Sequence, residues 1–141
     1  MTLYFAYGAN MDPVHMAEHC PGAKRLGLAA LMEREFRIAA AGYGNAVPTP
    51  GVELPGVLWE LTPDDEDSLD RFEGIPQGVY RKDWAMIRRL DGPPVPAMLY
   101  LPSDPAPGVP VPGYLERIIE VAQELGFPAE YVRQLQHLLL P

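Results

Sequence analysis

The chain has 141 residues, 48% apolar and 21% charged, with a formal net charge of −8; this suits one domain spanning 1–141 with a real core and excludes a disordered chain. The acidic balance and the scattered basic residues, densest at Arg81-Lys82 and Arg88-Arg89, disfavour nucleic-acid and polyphosphate partners, which need a basic face. No apolar run approaches the roughly 18 residues of a membrane span, the N-terminus shows no signal peptide, and the single cysteine, Cys20, precludes an internal disulfide, so a reducing, cytoplasmic location is expected.

Leu3-Tyr4-Phe5-Ala6-Tyr7 is short, apolar and aromatic and is stopped by Gly8, which predicts a buried strand. Asp12-Pro13 is a helix start, and that helix must end before Pro21. Residues 25–31 and 36–40 predict two strands, with loop chemistry at Gly42-Tyr43-Gly44-Asn45 and Pro48-Thr49-Pro50-Gly51. Residues 57–61 predict another strand. Thr62-Pro63 then opens a short acidic helix closed by Gly74. Strands are expected at 79–90 and 97–101. Eight prolines in the twenty residues from Pro93 to Pro112 suggest an extended connector. Leu115, Ile118, Ile119, Ala122 and Leu125 repeat at helical spacing up to Gly126, and Tyr131, Val132, Leu135, Leu138 and Leu139 do so after Pro128. These stripes read as core. The fold class is α+β, with short strands and helices outside.

Few residues stand out chemically. Tyr7-Gly8-Ala9-Asn10 joins a strand to a helix start, where Gly8 and Asn10 tolerate backbone angles that other residues resist. Successive N–H groups there can form a concave anion site suited to a carboxylate; an ordinary turn is the alternative. Six carboxylates lie in the ten residues from Asp64 to Glu73. A solvated face near a helix N-terminus accounts for Asp64, Asp65, Glu66 and Asp67. It accounts badly for Glu73, beside the stop Gly74 and four residues after Leu69, where the dipole disfavours an anion and partial burial would raise its pKa. Glu73 is therefore a candidate functional acid. His15 and His19 share a helix face next to Cys20, but the zinc-protease order is absent and packed or surface histidines are expected, with no metal. Cys20 lacks a His/Asn arrangement, Gly42-x-Gly44 is too weak for a phosphate loop, and Ser68 and Ser103 lie outside any Gly-x-Ser-x-Gly.

Taken in order, these pieces resemble the gamma-glutamylcyclotransferases. Residues 3–11 resemble the family's Tyr-Gly-Ser-Asn segment. Pro50-Gly51 through Gly56-Val57-Leu58-Trp59-Glu60-Leu61 resembles its Pro-Gly…Gly-Val strand. Leu69-Asp70-Arg71-Phe72-Glu73-Gly74 with Gly78-Val79-Tyr80 resembles its catalytic segment, and Tyr114 with Gly126-Phe127-Pro128 through Tyr131 its final helices. The resemblance covers nearly the whole chain. It implies a small mixed β-barrel of about five to seven short strands flanked by helices. It further implies an enzyme that releases 5-oxoproline and a free amino acid or amine from gamma-glutamyl substrates, glutathione metabolism included. By the same resemblance Glu73 is the acid/base, Tyr7, Gly8, Ala9 and Asn10 hold the glutamyl group, and Tyr80 and Tyr114 line the pocket, with no cofactor. Asn10 looks closer to the branch acting on gamma-glutamyl amino acids. One departure is Ala9, where the family carries Ser: if backbone N–H groups hold the substrate the loss is small, and if the hydroxyl contacts substrate its loss weakens binding by about 1 kcal/mol. A non-catalytic small-molecule binding module on the same fold is the alternative, and a homodimer is compatible with either.

Overall fold

In the computed structural model, which describes residues 1–140, the chain runs β1 (Thr2–Ala6), a 3-10 turn (Ala9–Met11), α1 (Pro13–His19), β2 (Lys24–Ile38), β3 (Gly44–Leu61), α2 (Pro63–Phe72), β4 (Tyr80–Arg89), β5 (Val95–Pro102), α3 (Tyr114–Glu124) and α4 (Ala129–His137). Among the described residues, five strands close into a barrel in the order β1-β3-β2-β4-β5. Neighbours are antiparallel except β1 and β5, which meet in parallel at Tyr4 and Met98 and seal the barrel. The mixed α+β class expected from the sequence holds, at the low end of the expected strand number.

The strands are longer than expected. The two predicted strands at 25–31 and 36–40 are one strand, β2, of 15 residues. A register shift between Met32 and Arg34, with Glu33 at φ 62°, absorbs the charged stretch that looked like a break. The predicted loops at 42–45 and 48–51 fall largely inside β3, which is 18 residues long. Pro48, Pro50 and Pro55 are tolerated because this half of β3 pairs only with β2, whereas β1 pairs with 57–61. The side facing away from β2 therefore needs no N–H donor. Only residues 39–43 form the turn, closed by Ala39 N–H to Tyr43 C=O at 2.9 Å.

Phe5, Leu54, Val57, Leu61, Ile87 and Met98 are fully buried in the barrel strands. The stripes of α3 and α4 supply Leu115, Ile118 and Leu135 to the same continuous core, whereas Leu139, expected in the second stripe, lies past the end of α4 and is 43% exposed. The proline-rich connector is laced to the β2–β3 turn rather than free: Gly108 N–H donates to Ile38 C=O and Val111 N–H to Gly42 C=O, both at 3.1 Å. Among the described residues, no helix is long and apolar enough to cross a membrane.

Candidate active site

The end of β1, the 3-10 turn, the tip of the β2–β3 hairpin and the starts of β4 and α3 converge on the C-terminus of α2. They enclose a cavity of about 360 Å³. The residues assigned to the site by resemblance all border it: Tyr7, Gly8, Ala9, Asn10, Glu73, Tyr80 and Tyr114.

Glu73 is placed by the two ends of α2. At the start, Thr62 and Asp65 form a reciprocal capping box with Pro63 in the first turn. Asp65 is thus a buried cap, 3% exposed and also accepting from Gly22 N–H, not part of the solvated acidic face expected for it. At the end, Gly74 adopts φ 71°. Its N–H bonds Arg71 C=O at 3.2 Å, and Ile75 N–H bonds Asp70 C=O at 2.9 Å. This left-handed stop makes Glu73 the C-cap of the helix, one turn after the fully buried Leu69 and on the same face.

The carboxyl then meets the turn from β1. Asn10 Nδ2 donates to Glu73 Oε1 at 3.0 Å and to the Tyr4 hydroxyl at 2.8 Å. Burial pushes the Glu73 pKa up to about 7, against the opposing pull of the Asn10 hydrogen bond. The Glu73 charge also reaches Tyr4, Tyr7, Tyr80, Tyr100 and Tyr114, whose phenols are held well above their ordinary value, chiefly by burial. These hydroxyls stay neutral across the working pH range.

Their hydrogen bonds divide them. Tyr7 donates to Tyr100 C=O, Tyr80 to Gly44 C=O and Tyr100 to Asp70 Oδ1, at 2.6, 2.6 and 2.7 Å. Tyr114 accepts from Gly44 N–H at 3.0 Å, and Tyr4 accepts from Asn10. Among the buried phenols of the cavity, Tyr4 and Tyr114 keep their own protons uncommitted. Tyr80 offers its ring, since its hydroxyl is spent on the main chain.

Gly8 adopts φ −122° and ψ −135°, outside the β and right-handed α regions, which is the backbone freedom expected of it. It also permits close approach: a Cβ there would lie 2.9 Å from the Tyr114 hydroxyl. Asn10 does not take a left-handed conformation; it sits in the 3-10 turn and works through its side chain. Its Oδ1 is buried without a partner among the described residues. The turn closes on Met11 N–H to Gly8 C=O and Asp12 N–H to Ala9 C=O, while the N–H groups of Gly8 and Ala9 find no acceptor among the described residues.

Sequence reasoning missed Tyr4, Tyr43, Tyr100, Phe72 and Val79, and it set His15 aside; all border the cavity. The available signal was the hydroxyl on aromatics placed in strands, since a buried Tyr needs a polar neighbour. Cys20 lies outside the cavity and is buried, with its thiol pushed up to about 11, and is inert as a nucleophile. His15 packs edge-on against His19 and Phe72, and His19 lies tilted against Phe72. With Glu18, they bring one ligand atom each to within 4.8 Å of one another.

Comparison with known proteins places this geometry in context. The Homo sapiens protein named gamma-glutamylcyclotransferase is 27% identical over 146 aligned residues, 95% of this chain and 77% of that protein. The Bos taurus protein of the same name is 26% identical, covering 96% of this chain and 78% of its own. A solved structure titled gamma-glutamyl cyclotransferase superposes with a TM-score of 0.86 at 26% identity, over 96% of this chain and 86% of that one. Residues 53–135, more than half of the chain and the part carrying Glu73 and Tyr114, match the model of the AIG2-like family. This chain therefore belongs to the AIG2-like family, with the sequence and barrel of the gamma-glutamylcyclotransferases as its relatives.

Proposed function

We propose that the protein is an intramolecular cyclotransferase. It releases 5-oxoproline and a free amino acid or amine from gamma-glutamyl substrates, with Glu73 as general acid/base. The observation that carries this is a single carboxyl with a pKa near neutrality, inside a tyrosine-walled cavity and hydrogen-bonded to the turn that borders the same space. A group balanced near pH 7 can both take and return a proton.

In this mechanism the substrate's α-carboxylate lies against the free N–H groups of Gly8 and Ala9. Its α-ammonium faces Glu73 and the unpartnered Asn10 Oδ1. The Glu73 carboxylate takes one proton from the ammonium. The freed amine attacks its own γ-carbonyl carbon, and a C–N bond closes a five-membered ring. Tyr4 and Tyr114 are the phenols with protons to offer the developing oxyanion. Protonated Glu73 then donates to the departing nitrogen, the original amide bond breaks, and the restored carboxylate takes the second proton from the ring nitrogen and passes it to the released amine, which leaves as its ammonium. Because nucleophile and electrophile belong to one molecule, holding the right rotamer supplies much of the acceleration. Residues 1–141 act as one unit in this scheme, since the walls run from Tyr4 to Tyr114. Ala9 presents main chain to the glutamyl group where relatives would present a hydroxyl.

The test is 5-oxoproline release from a panel of gamma-glutamyl dipeptides, gamma-glutamylamines and glutathione. Glu73→Gln is expected to lower kcat by about 10²–10⁴-fold. Undiminished turnover in that variant would refute the mechanism. Absence of turnover on the whole panel, with binding retained, would make the protein a binding module.

A further inference from the structure

The proposed reaction leaves one cluster on α1 unused. His15, Glu18 and His19 stand at i, i+3 and i+4, so two imidazoles and a carboxylate share one helix face. One ligand atom from each lies within 4.8 Å of the other two. The ring centroids of His15 and His19 are 4.5 Å apart, and Phe72 packs over both, at 4.9 and 4.3 Å.

Packing does not account for this group. His15 Nε2 is buried and has no hydrogen-bond partner among the described residues. A buried polar atom left unpaired is costly, so a partner is expected in some state of the protein. His15 is held below its ordinary pKa, first by burial and next by His19, with Asp12 and Glu18 acting in the opposite direction. The neutral ring is the form that ligates metals. Glu18 is exposed, and Phe72 is 46% exposed, so both can move as the ligands draw together.

We propose that His15, Glu18 and His19 form a binding site for one divalent transition-metal ion of the zinc class at the rim of the cavity. Two histidines one turn apart on a helix form a familiar chelate. Imidazole with a carboxylate suits zinc, nickel or copper, whereas magnesium and calcium favour all-oxygen shells. Bonds of about 2.0–2.2 Å require the three side chains to rotate toward a common centre. The three side chains leave the rest of the shell to water. Because His15 also borders the cavity, the ion would sit beside the space in which Glu73 works. It stands apart from the cyclisation chemistry and does not depend on it.

The experiment uses tag-free full-length protein, stripped with chelator and titrated with zinc chloride against a chromophoric competitor. One equivalent is expected to bind. His19→Gln, with its fold checked by circular dichroism, should weaken binding at least about tenfold. His137→Gln, on α4 and outside the cluster, should leave it unchanged. In NMR spectra the imidazole signals of His15 and His19 should respond to the first equivalent while those of His137 do not. No binding at millimolar zinc, full affinity in His19→Gln, or a first response at His137 would each overturn the proposal.

Discussion

Replacing Asn10 with alanine removes the hydrogen bond that holds the Glu73 pKa down. Asn10 Nδ2 lies 3.0 Å from Glu73 Oε1, and it opposes a burial effect that leaves the carboxyl near pH 7. A hydrogen bond to a charged group contributes about 1.5–3 kcal/mol. At 1.36 kcal/mol per pKa unit, its loss raises Glu73 by about one to two units. The acidic limb of the kcat/KM profile should therefore move from about pH 7 to about pH 8–9. At pH 7 the ionised fraction falls from about half to between roughly 10% and 1%, so kcat/KM drops about 5- to 50-fold, and the deficit narrows as pH rises. The assay is 5-oxoproline release over pH 5–10, with the Glu73 carboxyl followed in parallel by carbon NMR. A limb that stays at pH 7 while activity falls uniformly would refute the electrostatic role of Asn10. A limb displaced to lower pH would contradict the sign.

Two further outcomes follow from the same site. Glu73 keeps its proton to about pH 7 in the folded chain against an ordinary 4.5. The native state therefore binds more protons than the unfolded one between those values, and stability falls as pH rises through them. Thermal melts should show Glu73→Gln more stable than the parent at pH 8, by roughly 2 kcal/mol after allowing for partial exposure of the residue. The difference should vanish near pH 4; equal melting at pH 8 would argue against a desolvated carboxyl. Gly8→Ala sets a Cβ 2.9 Å from the Tyr114 hydroxyl and should raise KM. Adding Tyr114→Phe removes the clashing oxygen and should recover part of that loss, and a strictly additive double variant would exclude the contact as the cause.

Glu73 was legible because it breaks a local rule, an acid at a helix C-terminus beside a glycine, and because its neighbours form an ordered family pattern. The helices were legible from caps and apolar spacing, and α2 shows both signals at its ends. The length of β2 and β3 was not. Pro48 and Pro50 read locally as loop, and the charged residues Glu33 to Glu35 fell between two predicted strands; the one-sided pairing of this half of β3 with β2 accommodates the prolines, and the register shift at Glu33 accommodates the charges. Tyr4 and Tyr100 escaped for a related reason. Aromatics in strands resemble ordinary core, and their hydroxyls acquire meaning only when the turn after β1 folds Asn10 back onto Tyr4 and the packing of α2 brings Asp70 to Tyr100. The role given to Asn10 was misassigned because spacing speaks to backbone freedom and is silent about which side chain arrives opposite.

The parallel seam between β1 and β5 has a consequence for how the molecule is made. Hairpin β2–β3 can zip from its own turn, whereas Tyr4 must find Met98, and Tyr7 must find Tyr100 across 93 positions. Gly44 likewise waits 70 positions for Tyr114. Such distant partners are slow to meet. On a translating ribosome the first strand would emerge long before its mate, and the tyrosine-walled cavity would be finished only when α3 left the exit tunnel.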